Sequence, residues 1–236
     1  MFTTPWKSPL RVALFGTSAD PPHMGHQSIL LWLAQEFDQV AVWAADNPYK
    51  EKQSPIRDRA QMLRLLIDSL PTEGVGKLGK VQVEQALSDR YSIHSIERAR
   101  DRWPDARFSF VVGADLLAQL PKWYQAKEIF AQVDILVFPR PRYPTEGPAL
   151  SALRQLATVH VAHPPYQYDV SSSTFRQTHC TSETHSQETH SQETHSQETH
   201  SQAAANVPPI VRDYITEHNL YPCLQQTPKA KVSTHR

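Results

Sequence analysis

The chain has 236 residues, and its 24 Lys and Arg side chains are balanced by 24 Asp and Glu side chains. A formal net charge of zero gives no reason to expect nucleic acid or an anionic membrane as a partner. Two cysteines are too few for a disulfide framework, and no stretch approaches the ~18 consecutive apolar residues of a membrane span. The sequence therefore predicts a cytoplasmic protein with one core of ordinary domain size.

Strand-like and helix-like segments alternate along most of the chain. The strand-like segments are short apolar runs at 12–15, 39–45, 81–86, 108–112, 134–138 and 159–161. A helix is predicted to begin near His23, and the later helix-like segments lie at 55–70, 93–99, 115–120, 126–132, 148–156 and 207–221. This alternation predicts an α/β fold, a Rossmann-like arrangement of three layers with a mostly parallel sheet. Ligands bind such sheets at the carboxyl ends of the strands, so we expect the loops after Phe15, Ala45, Val112 and Phe138 to line one mouth.

One segment differs in kind from the rest. Residues 183–202 read ETHSQ four times without an apolar residue, so they cannot bury enough surface to offset the entropy of ordering. Histidines that recur every five residues do not share a helix face, which favours a tolerated repeat expansion over a weak metal site. We expect a single domain at 10–223, interrupted at 177–205 by a disordered insertion, with flexible tails at 1–9 and 224–236.

The residues at 11–26, RVALFGTSADPPHMGH, predict a buried strand, a tight loop and the start of a helix. Backbone N–H groups at a helix start lack intrahelical partners, which suits a phosphate group. Gly16 is expected to let the backbone approach a ligand, and Gly25 to leave room for one between His23 and His26. These two histidines share the first helical turn and can both donate to phosphate oxygens. The strand-loop-helix context favours this interpretation over ordinary capping histidines.

A second candidate anion site lies at 170–176, VSSSTFR. Backbone donors, the hydroxyls of Ser171 and Ser172 and the guanidinium of Arg176 all suit phosphate oxygens. Alone, a serine-rich turn before a helix is more often an N-cap. Its combination with the histidine pair favours anion binding.

Both stretches resemble signatures of one family, the nucleotidyltransferases with the HxGH motif. GTSADPPHMGH is similar to their first signature, G-T-F-D-P-x-H-x-G-H, with one additional residue between Thr17 and Asp20. VSSSTFR is similar to their second signature, I-S-S-T-x-I-R. The resemblance implies that His23, His26 and Arg176 are catalytic. It also implies an ATP-binding set made of Gly16, Thr17, His23, Gly25, His26, Ser171, Ser172 and Arg176.

Four further segments resemble the nicotinate-nucleotide adenylyltransferases within that superfamily. They are RAQML at 59–63, YSIHSI at 91–96, VVGADLLAQLPKWY at 111–124 and VPPIVRDYITEHNLY at 207–221. The resemblance implies that nicotinate mononucleotide attacks the α-phosphorus of ATP and gives deamido-NAD and pyrophosphate. It also implies Mg²⁺ bound mainly through the ATP phosphates, with no metal-binding set of protein side chains. The attacking phosphate is already anionic, so catalysis requires positioning and charge neutralisation rather than a general base.

The acceptor nucleotide is expected to meet residues of the middle segment. Trp123, with Tyr124, is the predicted stacking face for the pyridine ring, although packing in the core is the alternative for the tryptophan. Asp115 follows a strand end and either contacts ribose hydroxyls or caps a helix. These two interpretations of Asp115 stay open.

Two basic positions are expected to serve the phosphates. The family has N-P-x-H-K after its second strand, whereas this chain reads NPYK, so Lys50 or Lys52 takes the phosphate-binding role. Arg140, at the end of the fifth strand, either faces the mouth or is solvated. Asp20 matches the loop aspartate of the signature and is expected to hold that loop.

The sequence leaves alternative functions open. A related adenylyl- or cytidylyltransferase would act on nicotinamide mononucleotide, pantetheine phosphate or a sugar phosphate with CTP. The GADLLAQLPKWY segment favours a pyridine nucleotide, but it does not distinguish a carboxylate from a carboxamide on the ring. A regulator that binds nucleotide without catalysis is a further alternative, against which the intact His23, His26 and Arg176 argue. A homo-oligomer is also left open.

Overall fold

The structure is a computed structural model. It describes residues 8–47, 50, 53–71, 80–165, 170–176 and 206–222. The predicted insertion at 177–205, the predicted tail at 224–236, residues 1–7 of the other tail and Lys52 lie outside the described residues. No helix in the described ranges has the length and apolar character needed to cross a bilayer.

Six strands form one sheet with the order β3-β2-β1-β4-β5-β6. Their bounds are β1 (Arg11–Thr17), β2 (Gln39–Ala44), β3 (Lys80–Val83), β4 (Arg107–Gly113), β5 (Asp134–Phe138) and β6 (Val159–Val161). Every neighbouring pair of these strands is parallel. The carboxyl ends of all six therefore lie at one edge of the sheet, as the alternation of strands and helices predicts.

Helices cover both faces of the sheet. Their bounds are α1 (Met24–Glu36), α2 (Ile56–Asp68), α3 (Ser92–Arg102), α4 (Ala126–Gln132), α5 (Pro148–Arg154), α6 (172–176) and α7 (Pro209–Glu217). Alternate residues of β1 serve two cores: Val12 and Leu14 pack with α3, α4 and α5, whereas Ala13 and Phe15 pack with α1, α2 and α7. This is the pattern of a sheet buried on both sides, and it confirms the predicted three-layer α/β fold.

The predicted helix at 115–120 is wrong. Two 3₁₀ turns, Ala114–Leu116 and Leu120–Lys122, occupy this region, and Pro121 lies inside the second of them. The backbone N–H groups here bond three residues back, as Gln119 does to the Leu116 carbonyl. Pro121 directly follows the predicted helix, and the residue before a proline is biased away from the α conformation, so this short segment forms two 3₁₀ turns instead.

The predicted strand at 81–86 ends early, at Val83. Gln85 lies instead in a 3₁₀ turn, where its side-chain amide accepts from the Ala44 N–H and donates to the Ala44 carbonyl, each at 2.9 Å. The amide side chain thus replaces the strand backbone as the partner of β2. The other predicted strands and helices are present, with small differences at their ends.

Candidate active site

The carboxyl edge of the sheet gathers most of the residues that the sequence singled out. The loop from β1 leads into α1 with His23 at its N-cap and His26 in its first turn. Lys50, after β2, donates to the Ser18 hydroxyl of the β1 loop at 2.8 Å. Arg140, after β5, pairs with Asp115, after β4, at 3.2 Å. The predicted mouth is therefore formed by the loops after β1, β2, β4 and β5.

The two histidines cap the helix that carries them. His23 Nδ1 accepts from the Gly25 N–H, and His26 Nδ1 accepts from the His23 N–H, each at 3.2 Å. This is a reciprocal capping box in which imidazole nitrogens take the place of hydroxyl and carboxylate oxygens. The two ring centroids lie 4.0 Å apart. The two histidines therefore share the first helical turn, as predicted, and both cap it.

Both imidazoles are neutral near pH 7. Burial, and then the positive charge of Arg140, lowers the pKa of His23 to about 3. Burial also lowers the pKa of His26 well below its usual value, and His23, Arg140 and Lys50 lower it further. Since Nδ1 of each neutral ring is an acceptor, Nε2 of each ring carries the proton.

The Nε2 protons have different surroundings. His26 Nε2 donates to the Thr17 hydroxyl at 3.0 Å, so the hydroxyl proton of Thr17 is turned away from this ring. His23 Nε2–H meets no hydrogen-bond acceptor among the described residues. The cap thus fixes two rings with their donor atoms directed away from the helix backbone.

Gly16 and Gly25 each lie against an aromatic ring. A Cβ at Gly25 would lie 3.0 Å from the His23 ring and 3.1 Å from Val170. A Cβ at Gly16 would lie 2.9 Å from the Trp43 indole. The absence of a Cβ at each glycine therefore admits a neighbouring ring, and Gly25 lets His23 fold back over its own helix.

Asp20 joins the histidine loop to two distant parts of the chain. The residue is only 1% exposed, and its carboxylate accepts from the Tyr221 hydroxyl at 2.8 Å and from the Ser54 N–H at 3.3 Å. Arg176 donates to the Asp20 carbonyl, and its Nη1 lies 3.6 Å from the Asp20 carboxylate. Burial and the nearby Asp20 raise the pKa of Tyr221, so its hydroxyl stays protonated as a donor. The expectation that Asp20 holds the loop agrees with these contacts.

The second signature packs against the same loop. Ser172 donates its hydroxyl proton to the Pro21 carbonyl at 2.8 Å. The Ser171 hydroxyl accepts from the Thr174 N–H at 3.1 Å, which is the N-cap contact of α6. Together with Arg176, these side chains hold 170–176 beside the histidine loop.

Arg59 is a site residue to which the sequence assigned no role. It lies in α2 and is 3% exposed, and its guanidinium donates to the carbonyls of Ser18, Ala45 and Ser54 at 3.0, 2.8 and 2.9 Å. It therefore ties together the loops after β1 and β2 and the start of α2. An arginine among the apolar residues of an amphipathic helix was the available signal.

The predicted stacking residues lie beyond β4. Trp123 is partly buried and meets Phe110 edge to face, with ring centroids 6.2 Å apart. Tyr124 is 53% exposed and lies 4.6 Å from the Tyr91 ring. Trp123 therefore packs on the core with part of its surface exposed, whereas Tyr124 is largely exposed and packs on Tyr91.

A parallel sheet with a capped histidine pair and converging cations at its carboxyl edge is the arrangement of a nucleotide-binding α/β protein. The cytidylyltransferase-like family model matches residues 14–178. A Synechocystis protein named a probable nicotinate-nucleotide adenylyltransferase is 46% identical over 157 residues, which are 62% of this chain and 76% of that protein. A Gemmatimonas aurantiaca protein of the same name is 32% identical over 177 residues, which are 71% of this chain and 80% of that protein.

A solved structure of similar fold is nicotinic acid mononucleotide adenylyltransferase of Plasmodium falciparum, complexed with NaAD. Its TM-score is 0.69 at 16% identity, and the match covers 90% of this chain and 97% of that chain. At this identity the match concerns the fold alone. From the family model and the curated relatives, the chain belongs to the cytidylyltransferase-like family and, within it, to the nicotinate-nucleotide adenylyltransferases.

The capping role of His23 can be tested by stability alone. We expect His23→Ala to lower the free energy of unfolding by about 0.5–2 kcal/mol, because the Gly25 N–H loses its partner. His23→Asn places an amide oxygen near the Nδ1 position and is expected to retain most of that stability. Urea unfolding of the three proteins measures the difference. If Asn destabilises the protein as much as Ala does, the Nδ1 contact does not stabilise the helix.

Proposed function

We propose that the chain joins ATP and nicotinate mononucleotide, giving deamido-NAD and pyrophosphate. The histidine pair at the N-terminus of α1 carries this proposal, because it presents the Nε2–H of His23 and the Thr17 hydroxyl oriented by His26 near the charges of Lys50 and Arg140. The curated relatives bear the name of this activity, and the Plasmodium structure holds a dinucleotide of this kind. Both observations support the same substrate pair.

Chemistry at this site depends on position and charge. The acceptor phosphate oxygen forms a bond to the α-phosphorus while the bond from that phosphorus to the bridging oxygen breaks, and pyrophosphate leaves. A phosphate nucleophile is already anionic, so it needs no base. The low pKa of both histidines suits them to donate hydrogen bonds rather than to exchange protons. In this account His23 Nε2–H donates to a phosphate oxygen, and His26 turns the Thr17 hydroxyl proton toward the triphosphate.

The cations of the mouth stabilise the departing pyrophosphate in this account. Lys50 follows β2 and Arg140 follows β5, whereas Arg176 ends α6, whose start is ordered by Ser171 and Ser172. Arg140 and Arg176 each have a nearby carboxylate, on Asp115 and Asp20 respectively. These carboxylates hold the guanidinium groups in place before the nucleotide arrives.

Mg²⁺ is proposed to enter with ATP. No three His, Cys, Asp or Glu side chains group as metal ligands in the parts of the chain that the structure describes. A triphosphate supplies its own oxygen ligands, and Mg²⁺ retains several waters, so this residue set fits a metal carried by the nucleotide. The ion would add charge neutralisation on the phosphate oxygens.

The acceptor is proposed to lie along the loop after β4. Trp123 offers its exposed part to the pyridine ring, with Tyr124 at the rim, and Asp115 lies near the strand end for the ribose. Asp115 Oδ1 is buried without a hydrogen bond among the described residues, although Arg140 lies near it. A buried acceptor of this kind suits a ribose hydroxyl.

The activity can be tested by pyrophosphate release with ATP, Mg²⁺ and either nicotinate or nicotinamide mononucleotide. We expect turnover that favours nicotinate mononucleotide. His26→Ala should lower kcat/KM on the order of 10²–10³-fold, because the Thr17 hydroxyl loses the ring that orients its proton and is no longer a preorganised donor. His160→Ala is the matched control, since His160 lies exposed on β6, and it should retain full activity.

Each other outcome of this assay has a definite meaning. Preference for nicotinamide mononucleotide would retain the mechanism and change the substrate. Absence of turnover with either acceptor, in protein that binds ATP, would contradict the proposed reaction and favour a nucleotide-binding regulator.

The stacking role of Trp123 can be tested by its effect on the two substrates. We expect Trp123→Ala to raise the KM for nicotinate mononucleotide about tenfold and to leave the KM for ATP within about twofold, because stacking on one base contributes about 1–3 kcal/mol. Trp123→Phe retains an aromatic face and should recover most of the loss. Equal rises in both KM values, with a lower melting temperature, would show that Trp123 acts through its packing on Phe110.

A further inference from the structure

A hydrogen bond between Lys50 and Ser18, called the tether below, joins the segment after β2 to the loop after β1. Lys50 Nζ donates to the Ser18 hydroxyl at 2.8 Å, although 32 residues separate them in the chain. Ser18 lies where the loop has one residue more than the signature it resembles, and Lys50 lies where the segment after β2 has one residue fewer. The longer loop therefore supplies the contact that anchors a lysine on the shorter segment.

Ser18 is itself held firmly. Its carbonyl accepts from Arg59 Nη1 at 3.0 Å, and the same nitrogen donates to the Ala45 carbonyl at 2.8 Å. Arg59 is almost fully buried, so the position of the Ser18 backbone is set by a guanidinium fixed in the protein interior. The next residue, Ala19, is fully buried with φ of 45°. A left-handed conformation at a buried alanine persists only where its surroundings determine it.

The tether places the Lys50 ammonium among other cations. Burial lowers the pKa of Lys50, and Arg140 and Arg176 lower it further, against the opposite effect of Asp115 and Asp20. Among the described residues Lys50 forms no ion pair, and its hydrogen bond goes to a neutral hydroxyl. Cations from three different segments that converge in this way repel one another until an anion binds.

We propose that Ser18 is a positioning residue that holds the Lys50 ammonium toward the phosphates of a bound nucleoside triphosphate. The proposal rests on the proposed function only in taking ATP as the ligand. One ammonium N–H is engaged by the Ser18 hydroxyl, which leaves the others for phosphate oxygens. A lysine side chain loses much rotamer freedom when it binds, and a preformed contact reduces that loss.

The test is a double-mutant cycle on ATP affinity, measured by calorimetry without an acceptor. The proteins are the full chain and its variants Ser18→Ala, Lys50→Met and the double variant. We expect Ser18→Ala to weaken ATP binding about fivefold to tenfold and Lys50→Met to weaken it more, because hydrogen bonds to charged groups are strong. In the Lys50→Met background, Ser18→Ala should change the affinity by less than about twofold, because the two residues act as one unit.

Two controls separate positioning from a general loss of structure. Ser18→Thr retains the hydroxyl and should bind ATP with most of the affinity of the unmodified chain. Lys80→Met removes an exposed lysine at the first residue of β3, at the opposite edge of the sheet, and should leave the affinity unchanged. The melting temperature should stay close to that of the unmodified chain in all variants, because Ser18 and Lys50 add little to the core.

If the fold losses in ATP affinity of the two single variants multiply in the double variant, the two residues act independently and the proposal is overturned. The proposal would also be overturned if Ser18→Thr bound ATP as weakly as Ser18→Ala does, or if the unmodified chain did not bind ATP. Coupling in a protein that does not turn over nicotinate mononucleotide would support the positioning role of Ser18 and contradict the proposed reaction. Turnover of nicotinate mononucleotide without coupling between the two substitutions would support the proposed reaction and overturn the positioning role of Ser18.

Discussion

The reciprocal cap between His23 and His26 is the constraint on which the site depends. Each Nδ1 atom satisfies a backbone N–H at the start of α1, so neither ring can rotate without exposing an unpaired donor. Burial and the neighbouring cations keep both rings neutral. One arrangement therefore decides the orientation, the tautomer and the charge of the two rings that we propose to face the nucleotide. The contacts that cap the start of α1 are also the contacts that orient both imidazole rings.

The loop that leads to this cap is held by buried charge rather than by apolar packing alone. Arg59 binds three carbonyl groups from separate segments, and Asp20 receives donors from Ser54 and Tyr221, with Arg176 close to it. Buried charges of this kind are costly unless every partner is present, so the loop is specified as a unit. These buried charges lie beside the loop that is proposed to bind the triphosphate.

Much of the fold could be predicted from local sequence, because buried parallel strands are apolar runs and helices have their own period. The strand at 134–138 and the helix at 126–132 were predicted with their observed bounds. The histidine pair was also visible, since its spacing and its strand-loop-helix context are local. The helix predicted at 115–120 failed because the segment is short, the proline after it disfavours the α conformation, and its backbone N–H groups bond three residues back instead.

The residues that hold the loop could not be predicted in this way. Tyr221 and Asp20 lie 201 residues apart, and Arg59 and Ser18 lie 41 apart, so their contacts depend on the completed fold. The glycines illustrate the same limit. Gly16 was expected to let the backbone approach a ligand and Gly25 to leave room for one, but no pattern of adjacent residues reveals that the two glycines lie against the Trp43 indole and the His23 ring.

The central claim is that His23 and His26 are neutral Nε2–H tautomers throughout the physiological range. It can be tested most directly by NMR of the protein labelled with ¹⁵N in its histidine rings, with the two residues assigned through His23→Asn and His26→Ala. The account predicts an unprotonated Nδ1 and a protonated Nε2 in both rings, with no titration between about pH 5 and 8. Titration of either ring near the ordinary histidine pKa of 6.5, or a proton on Nδ1, would contradict it.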